Sequence, residues 1–334
     1  MTWNVHMCRD ITFTRDTCDE IIEVIEAVNA DILCLQEIRA DNHATYSKPT
    51  STPLGKKNGE LMKDSGATSH EMELWQQEKL FAALAAAGYP HFVARLNTCE
   101  GNNLLLGNAI CSRIPFEHTA THVLPTLDEE TDDTRSAIEG FFRIPRQGKL
   151  PGKEIPLHVV TTHLDVWDES GYTRTMQMEY LMDVMNKREK MSNSQLLMGD
   201  FNSVSWERCG QLSSEKMKFI ELQDRARSVV CKHHPMDTLL SAFDEGKSKL
   251  VDVFVQNRPG ISLATNVQSP TTGHTIAKPL KPLCSTVWSG RCIDYILLHK
   301  HLMRPSSPFH VLGVYCYPTK ASDHVPLIID LRRP

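Results

Sequence analysis

The chain has 334 residues, of which 41% are hydrophobic and 23% charged, with a formal net charge of −5. That length makes one large domain or two ordinary ones, and the composition is globular. The negative balance excludes binding nucleic acid through bulk positive charge, though not through a local basic groove.

Met1-Thr2-Trp3-Asn4-Val5 is strand-like, so the chain is expected to enter its fold with almost no leader. A helix is expected from about Thr17 to Asn29, where Ile21, Ile22, Val24, Ile25 and Val28 form a broad apolar stripe. It leads into a strand at Ile32-Leu33-Cys34-Leu35. Residues 41–69 are polar and rich in Lys, Gly, Ser, Thr and Pro, the pattern of a long surface loop or insertion. Glu71 to Ala87 is helical in pattern and stops at Gly88, a C-cap position. Leu104 to Cys111, Ser136 to Ile144 and Leu157 to Thr162 read as strands, and Gly171 to Lys190 as a helix. The apolar run Leu196-Leu197-Met198 reads as a buried strand that ends at Gly199 in Asp200-Phe201-Asn202. A helix is expected from Ser214 to Arg227, then a Gly/Pro/Thr-rich connection from Asn257 to Leu283. Strands at Ile293 to Leu298 and Val325 to Leu331 close the chain.

The ten cysteines form no CxxC pair, and Cys34, Cys111 and Cys292 sit inside apolar runs. These read as reduced core residues, which favours an intracellular location, cytoplasm or nucleus. No apolar run has transmembrane length, and no signal-peptide pattern opens the chain. Helices interspersed with strands favour a single α/β domain over residues 1–334. Strand-end polar residues run from Asn4 to His324, and a site collected from them requires all those strands in one fold.

Those strand ends carry the candidate chemistry. Asp200 and Asn202 project from one strand end, two residues apart, an acid beside a neutral amide that suits phosphate handling. Glu37 stands at the end of Asp31-Ile32-Leu33-Cys34-Leu35-Gln36 and is the best single carboxylate for a metal. Oxygen ligands without cysteine suit Mg²⁺ or Mn²⁺. His324, beside Asp323, can donate to a phosphate oxygen or work as a general acid or base, with Asp294 as an acid to orient it. His163 supplies a second imidazole. Arg135 and Arg174 could bind phosphate with their planar forks, though a salt bridge or a solvated side chain is the simpler reading of each. Asp165 reads as a brace for its loop.

The ordered set Thr2-Trp3-Asn4-Val5, Cys34-Leu35-Gln36-Glu37, Thr162-His163-Leu164, Gly199-Asp200-Phe201-Asn202-Ser203, Ile293-Asp294-Tyr295 and Ser322-Asp323-His324 resembles the endonuclease/exonuclease/phosphatase superfamily. Each motif is short, but six in the right order are specific. The resemblance implies a four-layer α/β sandwich of two mixed β-sheets flanked by helices (DNase I-like). It also implies one Mg²⁺ or Mn²⁺ per active site, with Glu37 as main ligand, Asn4 beside it and Asp323 as a looser contact. Asp200 would hold or deprotonate the attacking water, and Asn202 would bind the phosphate. His324, oriented by Asp294, would stabilise the transition state, while His163 would serve a phosphate oxygen or the leaving group.

The expected partner is a phosphodiester substrate, with nucleic acid among the candidates; no partner protein is inferable. Ser203-Val204 after Asn202 resembles the nuclease, deadenylase and sphingomyelinase branches more than the inositol phosphatases. Basic residues for a nucleic-acid groove are modest: Arg225, Arg227, Lys232, His233 and His234, or Lys278 and Lys281 near Trp288. Nuclease, tyrosyl-DNA phosphodiesterase and lipid or small-molecule phosphodiesterase all remain open. No expected catalytic position is replaced, which counts against a non-catalytic scaffold.

Overall fold

The computed structural model describes residues 1–41, 54–57, 60–61, 75–98, 104–127, 134–145, 154–168, 170–203, 236, 239, 242, 245–253, 286–287, 292–304 and 306–332. In chain order they form β1 (Thr2–Asn4), α1 (Cys18–Val28), β2 (Ile32–Asp41), β3 (Leu54–Lys57), β4 (Glu60–Leu61), α2 (Trp75–Ala86), β5 (His91–Thr98), β6 (Leu104–Ser112) and β7 (Phe116–Val123). There follow β8 (Ser136–Ile144), β9 (Ile155–His163), α3 (Tyr172–Arg188), β10 (Gln195–Asp200), β11 (Leu250–Asp252), β12 (Asp294–His299), β13 (His310–Cys316) and β14 (Leu327–Arg332).

An eight-stranded sheet has the order β13-β14-β1-β2-β6-β5-β3-β4, and a six-stranded sheet the order β11-β12-β10-β9-β8-β7. Both are mixed: β1 runs parallel to β2 and antiparallel to β14, while β10 runs parallel to β9 and antiparallel to β12. Alternation along each strand sends residues to two different cores. Cys34 and Ile110 from one sheet meet Ile138, Val159, Met198 and Ile296 from the other. On the outer face of the larger sheet, Trp3, Leu33 and Leu35 pack with Ile21 and Ile25 of α1 and Leu80 and Leu84 of α2. Outside the smaller sheet, Val160, Leu197 and Tyr295 pack with Met178, Leu181 and Met185 of α3. The result is the DNase I-like sandwich of helix, sheet, sheet and helix.

This alternation also places the site. Leu196 and Met198 face the inter-sheet core and Leu197 faces α3, so Asp200 continues the inter-sheet face at the strand end. Just beneath, Gln36 links the sheets by donating its amide to Thr161 Oγ1 at 2.9 Å and Thr2 Oγ1 at 3.1 Å. On the opposite face of the smaller sheet, the fully buried Glu139 accepts from His122 and from Arg188 Nε at 3.2 Å, with His158 Nε2 at 2.9 Å. Burial alone would raise its pKa, but these partners hold the carboxyl well below the usual range.

Most expected elements lie where the patterning put them. Asn29 caps α1 in the left-handed conformation, and Gly88 follows α2 with φ +92°. Residues 41–69 are not wholly a loop: β3 and β4 fall within them, and Leu54 and Gly55 pair with Ala94 and Val93. Edge pairing is made by backbone groups, so a polar sequence does not forbid it. The expected helix Ser214–Arg227, the connection Asn257–Leu283 and the basic residues named above lie outside the described residues. Cys8, Cys18, Cys34, Cys111 and Cys292 are buried and form no disulfide among the described residues. No described helix is long and apolar enough to cross a membrane.

Candidate active site

Three candidate residues stand in one row across the smaller sheet. Asp200 of β10 is in register with His163 of β9 on one side and Asp294 of β12 on the other. Gly199 makes this row possible: its φ is +148°, and a Cβ there would lie 1.9 Å from the Thr162 carbonyl oxygen.

The larger sheet contributes Asn4 and Glu37. A register irregularity between Leu35 and Ile38 in the pairing of β2 with β6 holds Glu37 at φ +55°, which aims its carboxylate toward Asn4. Asn4, fully buried, donates Nδ2 to Glu37 Oε1 at 2.9 Å and to Asp200 Oδ2 at 3.0 Å. Its Oδ1 accepts from the His6 backbone N–H at 2.9 Å. One amide thus ties the carboxylates of the two sheets together, acting as a donor.

His324 is fixed on several sides. Its Nδ1 donates to Asp294 Oδ2 at 2.8 Å, its carbonyl accepts from the Trp3 indole at 3.0 Å, and its N–H donates to Ser322 Oγ at 3.2 Å. Ser322 Oγ in turn donates to the Asn4 carbonyl at 2.8 Å. Asp294 is held because its own N–H and that of Ile293 donate to Thr286 Oγ1 at 3.1 and 3.0 Å. His324 Nε2 is left 3.7 Å from Asp200 Oδ2 and 3.8 Å from Asp323 Oδ1, while His163 Nε2 lies 3.7 Å from Asp200 Oδ2.

Burial and charge divide the protons among these groups. Burial and the neighbouring Asp294 carboxylate push Asp200 up to about 7, against the pull of His324. Burial would depress His324, but Asp294 overrides it and raises the imidazole to about 10. His163 is held well below its ordinary value by burial, then by Arg135 and His324. One imidazole is therefore cationic and the other neutral at pH 7.

The remaining candidates are held by local partners. Asn202, at φ +46°, donates its backbone N–H to Asp200 Oδ1 at 2.9 Å and its Nδ2 to the Leu164 carbonyl at 3.0 Å. Arg174, buried in the first turn of α3, donates Nη1 to the Asp165 carbonyl at 3.1 Å. Asp165 accepts the Asp168 N–H on Oδ1 at 2.7 Å, so it braces its loop. Arg135 is half-buried and close enough to His163 to depress it.

Ligand atoms of Asp200, Asp294 and His324 lie within 4.8 Å of one another, and all three residues are buried. With Glu37 and Asp323, the donor set is mostly carboxylate oxygen. Convergence of the buried Asp200 and Asp294 carboxylates with the His324 imidazole fits an oxygen-preferring divalent cation. Sequence reasoning missed Thr286, Ser322 and His6. Ser322 sits inside a motif already singled out, whereas Thr286 lies eight residues from the acid it holds and leaves no local signal.

The sequence profile described as the Endonuclease/Exonuclease/phosphatase family matches residues 1–324. No curated protein matches the sequence. Among solved structures, an endonuclease/exonuclease/phosphatase from Beutenbergia cavernae is 20% identical, with TM-score 0.59 over 99% of this chain and 70% of its own. The human Nocturnin catalytic domain with bound sulfate is 17% identical, with TM-score 0.55, covering 99% of this chain and 92% of its own. A mannosyl-6-phosphatase from Bacteroides thetaiotaomicron is 15% identical, with TM-score 0.52 and coverage of 99% and 98%. These likenesses are likenesses of fold.

Proposed function

The chain belongs to the endonuclease/exonuclease/phosphatase family, a family of hydrolases acting on phosphoric ester bonds, and from that premise we propose that it is a Mg²⁺- or Mn²⁺-dependent phosphodiesterase. The observation that carries this reading is the row His163–Asp200–Asp294, closed by His324 and joined to Glu37 through Asn4.

In this reading residues 1–334 act as one intracellular domain with one cation per site. Asp200 accepts a proton from the attacking water, and a carboxyl raised to about 7 is basic enough to do so near neutrality. The water oxygen forms its bond to phosphorus as the bond to the ester oxygen breaks on the opposite side. His324, kept cationic by Asp294, donates Nε2–H to a non-bridging phosphate oxygen as charge builds there. His163 lies beside Asp200 and serves the phosphate or the leaving oxygen. Asn202 offers the second hydrogen of its amide to the phosphate, and Arg135 and Arg174 line the approach. Asn4 orients the two carboxylates it bridges. A cation held by Glu37 and Asp323 supplies, when bound, positive charge against the phosphate and leaving oxygens.

Hydrolysis of bis-p-nitrophenyl phosphate tests the reading. Turnover is expected with Mg²⁺ or Mn²⁺, to be lost with EDTA and to be lost in Asp200→Ala. Equal rates for wild type and Asp200→Ala would reject it.

A further inference from the structure

The turn after Asn4 departs from ordinary backbone. His6, Met7 and Cys8 have φ of 46°, 56° and 52°, and Phe13, in the loop that follows, has 58°. L-residues adopt such angles rarely, and they persist only where the surroundings over-determine them. Here they do: Thr17 N–H donates to the Cys8 carbonyl at 2.9 Å, and Phe13 N–H to that of Asp10 at 2.9 Å. The Asp10 carboxylate also accepts from the N–H groups of Thr14 at 2.9 Å and Arg15 at 3.2 Å.

What this stiff loop presents is a single ring. Phe13 is 55% exposed, yet its centroid lies 4.4 Å from that of His6, with the planes tilted by 57°. The His6 ring is buried and locked in place: Nδ1 is 3.1 Å from the Arg9 carbonyl and 3.9 Å from Asp323 Oδ1. Phe13 is thus one ring away from the candidate phosphate site, and no step of the hydrolysis uses it. Its loop neighbours Asp10, Thr12, Thr14 and Arg15 are polar, and Ile11 alone adds exposed apolar surface. That is too small an apolar face for a lipid surface or a protein interface. One preorganised ring beside a phosphate site suits the face of another planar ring.

We infer that Phe13 forms a stacking subsite for a planar aromatic group of the nucleobase class, esterified to the phosphate that Asp200 and His324 act upon. His6 is the positioning residue that holds the Phe13 ring. The inference rests on the phosphodiester-hydrolase reading and names its substrate class.

Two esters with the same p-nitrophenolate leaving group test it: thymidine 5′-p-nitrophenyl phosphate and methyl p-nitrophenyl phosphate. In Phe13→Ala the ratio of kcat/KM for the thymidine ester over the methyl ester is expected to fall about tenfold, the scale of one base–aromatic stack. Phe13→Trp should restore the ratio. His6→Phe, which keeps a ring against Phe13, should retain it. His6→Ala should lower it, with Phe13→Ala adding nothing further. An unchanged ratio in Phe13→Ala overturns the inference. Calorimetric titration with thymidine 5′-monophosphate and Mg²⁺ separates this failure from failure of the hydrolase reading. Phe13→Ala should bind about tenfold more weakly than wild type. Equal affinity, or no binding by wild type, overturns the subsite even if neither ester is hydrolysed. A preserved affinity difference without turnover removes the hydrolase reading and leaves the subsite standing.

Discussion

Gly199→Ala puts one methyl group between the two strands that carry His163 and Asp200. The added Cβ would lie 1.9 Å from the Thr162 carbonyl oxygen, with the Thr162 backbone C and N at 3.0 and 3.1 Å. Real Cβ contacts are longer than 3.0 Å, so β9 and β10 must separate by about 1 Å, immediately before His163 and Asp200. The backbone angle of +148° adds a second penalty for any side chain. Overpacking together with a strained angle costs roughly 3 kcal/mol. With about 2.1 cal/mol/K of unfolding entropy per residue, that lowers the Tm of this chain by about 4 °C. A displacement of about 1 Å between catalytic groups costs on the order of 10²-fold in kcat. Phosphodiester turnover well below the melting transition, with calorimetry on the same sample, reads both effects. A variant with wild-type Tm and wild-type kcat would refute the claim that strand proximity at Gly199 sets the site.

Asp294→Asn keeps the shape but removes the charge that holds His324 cationic, and kcat should fall about 10²–10³-fold with the fold intact by circular dichroism. A rate within tenfold of wild type would assign the pair to structure alone. Glu139→Gln leaves Arg188 without its buried counter-charge and two imidazoles without their carboxylate acceptor, and should destabilise the protein by about 3–5 kcal/mol at pH 7, read by urea unfolding. Because the folded carboxyl is depressed, its contribution is complete above the ordinary value of 4.5 and is lost as the pH falls below it. The gap between wild type and Glu139→Gln should therefore narrow below about pH 4.5, and a gap independent of pH would contradict the assignment.

The residues of the site were more legible than the fold that assembles them. Glu37 and Asp200 end or follow an apolar run and Asp294 and His324 precede one, and the order of the four along the chain carries a family pattern that no single one does. Strand β7 was not legible: its half-exposed residues Phe116–Val123 alternate too weakly to stand out from a loop. Strand β3 and the edge strand β4 were hidden because they lie in a polar stretch, and their pairing is made by backbone groups. The donors that orient the candidate site residues were hidden differently. Asn4 was recognised, but its bridge between Glu37 and Asp200 spans two sheets and exists only after folding. Likewise, the left-handed turn at His6–Cys8 contains no glycine to announce it.

In the proposed function, acids brought together from two sheets form one cation-assisted hydrolytic site. A Mg²⁺ titration of bis-p-nitrophenyl phosphate hydrolysis by wild type, Glu37→Gln and Asp200→Asn tests it most directly. Half-maximal activity should require at least about tenfold more Mg²⁺ in Glu37→Gln, the usual scale of weakened metal support. Asp200→Asn should stay inactive at every Mg²⁺ concentration. Undiminished turnover by EDTA-treated wild type, or a wild-type Mg²⁺ response in Glu37→Gln, would contradict the account.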